Sequence, residues 1–557
     1  MRRAILFVVL AMCAVLTLPQ VAAAAEPRCF GKKATIVGTQ EGDHIKGTPG
    51  ADVILGLGGS DVIRGLGGDD LICAGKGYDQ VYGGAGNDRI AGGQDVDSLL
   101  GNGGNDQISG GQGGDNLTGG PGSDSLLGGA GDDEFVGEPG DDAIDGGPGE
   151  DFINFEDAPG PMAVDLTAGT VSGNGSDTIT GVEDILGSPY DDTIVGDSGP
   201  NMILDAGGSN AISGMAGDDT YWDMFATASD HFDGGEGEDW ILYAFAEGPI
   251  QVDLETGTGS DTLIGVEDVY GSSGDDVIIG DAGPNQLDGG FDGDDTISGG
   301  EGDDLLDGGS GGADTISGGE GDDLLVGDEP YCDWFDCYPR VSDDVLDGGG
   351  GIDTVSYESA DGPVQVDLAA GTATGQGSDT LAGIENVLGG GSDDTLTGDS
   401  GPNYLDGWDG DDVLLGAEGD DTLDGEWGTD TLDGGPGTDT CVNGETVSNC
   451  ENSTLPAAGT VARGTWPAAV SAEEAVRNNA PPLPSAPALD WTLTNGGIRT
   501  DKQRSDTTGL QGDQEWALED SNLRPLPRQG RQRHLPDQHL CRSELVSDVT
   551  GVPSSTV

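Results

Sequence analysis

From Gly38 to Asn154 the chain divides without a gap into thirteen nonapeptides, such as GLGGSDVIR (56–64), GGAGNDRIA (83–91) and GGPGEDFIN (146–154). Position eight is apolar in every unit, from Ile45 through Val81 to Ile153, and position six is always Asp. Position one is Gly except at Ala74, and position four is Gly except at Glu41 and Asp95. Gly at positions one and four permits positive φ, so the first six residues are expected to turn. Positions seven to nine then form a short strand, with position eight facing inward and its neighbours outward. A strand that buries one apolar side chain cannot stand alone; stacked coils bury a continuous column. If strands alternate between two faces, two nonapeptides make one coil, and units eighteen residues apart stack.

That stacking predicts two columns of carboxylates. One is Asp43, Asp61, Asp79, Asp97, Asp115, Asp133 and Asp151; the other is Asp52, Asp70, Asp88, Asp106, Asp124 and Asp142. Stacked strands lie about 4.8 Å apart, where two carboxylates repel by about 3 kcal/mol at an effective dielectric near 20. A cation held by one oxygen from each rung, at about 2.3–2.6 Å, spans the same gap. Its ligands would be carboxylates and turn carbonyls. His and Cys do not recur in the repeat, so zinc and copper are poor candidates. Flexible, carbonyl-rich turns favour Ca²⁺ over Mg²⁺, with multiple ions bound.

Charge sharpens this expectation. Of 557 residues, 105 are Gly, and the net charge is −84. Residues 34–450 carry ninety acids against five bases (Lys46, Arg64, Lys76, Arg89 and Arg340). Like-charge repulsion excludes nucleic acid as a partner. Met1–Ala25 has a basic start, an apolar run from Ile5 to Leu18 and small residues at Ala22–Ala25. These are the marks of a secretory signal, and the run is too short to span a bilayer of about 30 Å. No membrane span is expected elsewhere. The 451–557 tail is Pro-rich and lacks a repeat, so it is expected to be disordered. Its stretch Glu515–Pro527 reads like translated non-coding sequence, and no function is placed in the tail.

The nonapeptides resemble the GGxGxDxUx repeat of hemolysin-type calcium-binding proteins, the RTX family. The resemblance implies an all-β, right-handed parallel β-roll with Ca²⁺ in the turns between coils. It extends with interruptions to about Val442, and adds Asp219, Asp239, Asp295, Asp304, Asp323, Asp353, Asp412, Asp421, Asp430 and Asp439 as position-six ligands, with Asp314 from an offset copy at Gly309–Ser317. Members that leave by a dedicated one-step system usually lack a cleaved N-terminal signal, a pattern from which this chain departs.

A second motif interrupts the repeat three times. It begins at Val164-Asp165-Leu166, Val252-Asp253-Leu254 and Val366-Asp367-Leu368 and runs through Gly-Ser-Asp-Thr (175–178, 259–262, 377–380). Acidic pairs follow (191–192, 275–276, 393–394), and each copy ends in Gly-Asp-Ser/Ala-Gly-Pro-Asn (196–201, 280–285, 398–403). These read as wider coils of one continuous solenoid. Gly196–Pro200 resembles a trypsin-type nucleophile motif, but the second copy has Ala282 in place of Ser. Gly308–Gly312 matches GxSxG without the strand-to-helix setting an elbow needs. Neither His44 nor His231 sits in a motif for a base.

The expected layout is a signal (1–25), an N-terminal cap (26–37), thirteen nonapeptides (38–154), interspersed modules and repeats (155–406), C-terminal repeats with a disulfide cap (407–450) and the tail (451–557). In an exported chain, Cys29–Cys73, Cys441–Cys450 and Cys332–Cys337 are the expected disulfides, leaving Cys541 over. Aromatics concentrate at Tyr331–Tyr338 and at Tyr221–Phe245. Local packing is the favoured reading there, with a glycan or matrix surface as the alternative. The chain is expected to be a secreted, non-enzymatic calcium-binding scaffold at a surface or in a matrix. The rival is a calcium-dependent extracellular enzyme, acting on polysaccharide or protein, with the repeats as its folding appendage.

Overall fold

The computed structural model describes residues 26–226, 228–246, 248–332, 337–338 and 340–454, with a short strand pair at Leu493–Thr494 and Gly497–Ile498. The expected signal, nearly all of the tail, Cys541 and the side chains of residues 331–339, including the Cys332–Cys337 pair, lie outside the described residues. The described elements are all strands, and no helix among them is long and apolar enough to cross a membrane.

The chain forms two compact units. In the first (residues 1–240 with 261–266), the nonapeptide strands between Ile36 and Asn154 stack in parallel at the expected interval of eighteen. Val62 pairs with Gln80 on one face and Leu71 with Arg89 on the other. All thirteen position-eight side chains from Ile45 to Ile153 are buried. Each contributes about 1.5–3 kcal/mol of apolar burial, and the column they form is the core of the coil.

The strands are longer than the pattern foretold. Val62–Gly67, Leu71–Lys76 and Gln80–Ala85 each run six residues, across positions seven to nine and into positions one to three of the next unit. Positions eight and one therefore both face inward, as Ile72 and Ala74 do. This corrects the reading of the glycines. Position-one residues such as Gly65, Gly83 and Gly101 do not have positive φ; that conformation falls at positions two and four, as at Gly84 (118°) and Gly86 (131°). Position one is Gly for lack of room. A Cβ on Gly65 would strike Oδ2 of Asp70, in its own unit, and the carbonyl oxygen of Gly83 in the next coil.

The first interspersed module widens its coil with an antiparallel meander. Ala163–Asp165, Thr170–Ser172 and Ser176–Thr180 pair in turn. The outer two strands also pair in parallel with neighbouring coils, Val164 with Ile194 and Ile179 with Ile144. At the N-terminus the strap is as expected. Cys29 and Cys73 form a disulfide (Cα–Cα 5.7 Å), and the Arg89 guanidinium lies over the Phe30 ring at 4.1 Å.

The second unit (residues 241–260 and 267–557) is built in the same way, with a meander at Gln365–Asp367, Thr372–Thr374 and Ser378–Ala382. Between Val277 and Val326 its stacking interval becomes nineteen, with Thr296 opposite Thr315. The cause is an extra turn residue. Gly289 and Gly308 take the close position-one place against Asp295 and Asp314, so these two units are decapeptides. The GxSxG match falls in one of these turns, where the Ser310 N–H donates to Gly290 O (3.0 Å). At the far end Cys441 occupies a fully buried position-eight place and pairs with Cys450 (Cα–Cα 6.0 Å).

Most of the aromatics from Tyr221 to Phe245 pack inward, while Phe245 is exposed. Tyr221, Phe232 and Tyr243 are fully buried, and the rings of Tyr221 and Phe232 lie 5.3 Å apart.

Candidate metal centre

Each position-six Asp is held where two coils meet. The Asp43 N–H donates to Oδ1 of Asp61 (2.7 Å), eighteen residues on, while its carbonyl accepts the N–H of Val62 (2.8 Å). The same carboxylate-to-backbone bond repeats along the column, from Asp61 to Asp79, Asp79 to Asp97, Asp97 to Asp115, Asp115 to Asp133 and Asp133 to Asp151. The second column runs likewise from Asp52 through Asp70, Asp88, Asp106 and Asp124 to Asp142. The two columns are therefore present at the expected spacing. Their repulsion is partly answered by backbone N–H groups, one per rung, through Oδ1.

Oδ2 has no such answer. In Asp61, Asp70, Asp79, Asp88, Asp97, Asp106, Asp115, Asp124, Asp133 and Asp151 it is buried without a hydrogen-bond partner. The same holds for Asp219, Asp295, Asp304, Asp314, Asp323, Asp353, Asp412, Asp421, Asp430 and Asp439. The first rungs differ, because Oδ2 of Asp43 and of Asp52 accepts the N–H and hydroxyl of Thr39 and Thr48 respectively. Burial is the main force on these groups. It pushes Asp88 up to about 7 and Asp97 and Asp314 up to about 8; neighbouring carboxylates add to it and the accepted N–H opposes it.

An ionised, desolvated oxygen without a partner is expensive. These twenty, standing in file, demand a counter-charge, and the described ion pairs, Lys33–Glu26 and Arg340–Asp292, involve none of these aspartates. The donor set is all oxygen. At many rungs the carbonyl oxygen of the position-one residue in the next coil comes close as well, as Gly83 O and Asp70 Oδ2 both crowd the place of a Cβ on Gly65. These groups fit a hard cation such as Ca²⁺.

The ladders also contain rungs that the nonapeptide pattern does not reveal. The Asp142 N–H donates to Asp177 Oδ1 and that of Asp151 to Glu183 Oε2. In the second unit, Asp344 donates likewise to Asp379, Asp353 to Glu385, Asp430 to Glu445 and Asp439 to Glu451. The Asp of each Gly-Ser-Asp-Thr and the second Asp of each acidic pair are thus rungs. In the rungs of the acidic pairs Oδ2 is engaged as well, in Asp192, Asp276 and Asp394 by the N–H groups of Ser188 (2.6 Å), Ser272 (2.6 Å) and Gly390 (2.7 Å). The motif ending in Gly-Pro-Asn supplies neutral rungs. Asn201, Asn285 and Asn403 accept the N–H of Asp197, Asp281 and Asp399 through Oδ1, and donate through Nδ2 to the carbonyls of Glu183, Glu267 and Glu385. The trypsin-like match is this turn, with Asp197 Oδ1 accepting the Gly199 N–H (2.7 Å). Recurrence of Asn after Gly-Pro at the same distance from each acidic pair was the signal available in the sequence.

The model of the RTX calcium-binding nonapeptide repeat matches residues 37–153, 186–221, 264–329 and 388–441.

Proposed function

This chain belongs to the RTX calcium-binding nonapeptide-repeat family, and on that premise we propose that it is exported and completes its β-roll only on meeting Ca²⁺ outside the cell, where it serves as a non-enzymatic scaffold at a surface or in a matrix. The observation that carries this reading is the file of buried, unpartnered Oδ2 atoms along both ladders. The position-six aspartates hold the ions, together with turn carbonyls. Bound Ca²⁺ supplies the positive charge that the ladders lack. Without it, the net −84 and a core of one apolar side chain per strand keep the chain expanded. With it, folding and binding are one event. The disulfides at both ends support an oxidising destination.

The test is a calcium titration of the full chain by far-UV circular dichroism, with magnesium as control. The expected result is a cooperative coil-to-β transition in Ca²⁺, absent in Mg²⁺ and reversed by chelator. A full β signal in chelator at neutral pH would overturn the coupling. Turnover of polyuronates or casein by the calcium-loaded chain would overturn the non-enzymatic role.

A further inference from the structure

We propose that Asp205, Asp223 and Asp230 hold a hard divalent cation in a site built outside the nonapeptide turns. One carboxylate oxygen from each lies within 4.8 Å of those of the other two, and all three residues are buried, at 4%, 1% and 2% exposure. A cation with ligands at about 2.3–2.6 Å bridges oxygens up to about that separation. No ion pair reaches any of the three among the described residues.

The surrounding groups aim the carboxylates. Asp205 Oδ1 accepts the Gly207 N–H (2.6 Å) and Asn210 Nδ2 (2.7 Å). Asp223 Oδ1 accepts the N–H groups of Phe225 (3.0 Å) and Ala226 (2.7 Å). Asp230 accepts the Asn210 N–H on Oδ1 and the Tyr221 hydroxyl on Oδ2, each at 2.6 Å. That leaves Asp223 Oδ2 buried and without an N–H or hydroxyl donor, with the Asp261 carboxyl adjoining Asp223 as a fourth acidic group. Stacking brings the residues together: the Asp205 N–H donates to the Trp222 carbonyl (2.9 Å), which sets Asp205 beside Asp223 in the next coil. Asn210 then ties Asp205 to Asp230.

The site differs from the ladder in kind. Asp205 and Asp223 each follow a short strand, Met202–Leu204 and Thr220–Trp222, in the inward-facing position-one place that Gly holds in the nonapeptides. Neither is a position-six residue, and only Asp230 is a rung. Three carboxylates converge here on one point, whereas the ladder offers one free oxygen per rung. The ligand is a small cation bound by oxygen, of the Ca²⁺ class, and its place does not depend on the ladder ions.

The test counts bound Ca²⁺ on the full calcium-saturated chain by native mass spectrometry, with Asp223→Asn, Asp205→Asn and, as a ladder control, Asp97→Asn. Circular dichroism checks each fold. Asp223→Asn and Asp205→Asn are expected to lose about one ion per chain with the β signal intact. An unchanged count in folded Asp223→Asn overturns the proposal, and means that protons neutralise the cluster. A lower count in Asp97→Asn beside that result leaves the ladder reading standing. Should both site variants fail to fold, Trp222→Phe keeps every carboxylate. Loaded with Tb³⁺ and excited through indole, it is expected to lose part of the sensitised emission of the wild-type chain, the remainder coming from the other seven Trp. Emission equal to wild type overturns the proposal.

Discussion

The working atom of the repeat is Asp Oδ2, and the residue that makes space for it is a glycine whose φ is ordinary. At Gly101 an added Cβ would strike Oδ2 of Asp106 and the carbonyl oxygen of Gly119. Gly101→Ala is therefore expected to push one ladder carboxylate out of line, destabilise the calcium-loaded roll by about 1–3 kcal/mol and raise the calcium midpoint of folding. A calcium titration by circular dichroism of Gly101→Ala beside wild type checks this. Gly104→Ala should be comparably harmful for a different reason, its φ of 138°. The position-six aspartates and their column spacing were legible in the sequence because one residue type recurs at one interval. The role of position-one Gly was not. Composition shows only that a side chain is missing there, and both positive φ and close approach have that signature. Asn201, Asn285 and Asn403 escaped as rungs because a search for acidic groups passes over a neutral amide.

At the scale of elements, period-two alternation around position eight gave the stacked strands and the eighteen-residue interval. It did not give their length, since Gly-Gly looks like a turn while its backbone here continues the ladder across Val62–Gly67. Nor did it give the meanders. The apolar residues of Ala163–Asp165 and Ser176–Thr180 mark strands, but Thr170–Ser172 between them is too short and polar to declare itself. The decapeptides at Gly289 and Gly308 show that the ladder governs the turn. One added residue changes the interval to nineteen, yet Asp295 and Asp314 stay in file, joined at 2.8 Å. The ends need other means, because the last coil has no neighbour. Cys29→Ser, which also frees Cys73, removes a crosslink spanning 44 residues and is expected to cost about 2–5 kcal/mol. The calcium-loaded chain should then show faster hydrogen exchange at Ile36–Leu55, while exchange near Leu414–Leu432 stays as in wild type. Equal exchange in both regions would mean that the strap carries no load.

At the scale of the whole molecule, the proposed coupling of folding to calcium implies a coupling to protons as well. Burial lifts Asp97 and Asp314 to about 8, Asp88 and Asp304 to about 7, and Asp79, Asp133 and Asp421 to about 6, from an ordinary 3.8. A carboxyl raised in the folded state holds its proton more tightly there than in the unfolded chain. Its contribution to stability is complete below about pH 4 and disappears as pH rises through about 6 to 8. Protonation also removes much of the self-repulsion of a chain whose net charge is −84. In chelator the β signal should therefore grow as pH falls from about 9 to about 4, the reverse of ordinary acid unfolding. On the proposed reading calcium acts on the same oxygens from the other side, since it binds the ionised carboxylate. Adding Ca²⁺ near pH 7 to a partly folded, weakly buffered sample should release protons, and the calcium midpoint of folding should rise with pH as long as protons still help to hold the folded ladder together. Above about pH 8 it should level off. Circular dichroism in chelator across this range and a proton-release titration together decide the matter. A calcium-free chain equally unfolded at pH 5 and pH 9 would show that the buried carboxylates do not take up protons on folding, and that cations alone assemble the coils.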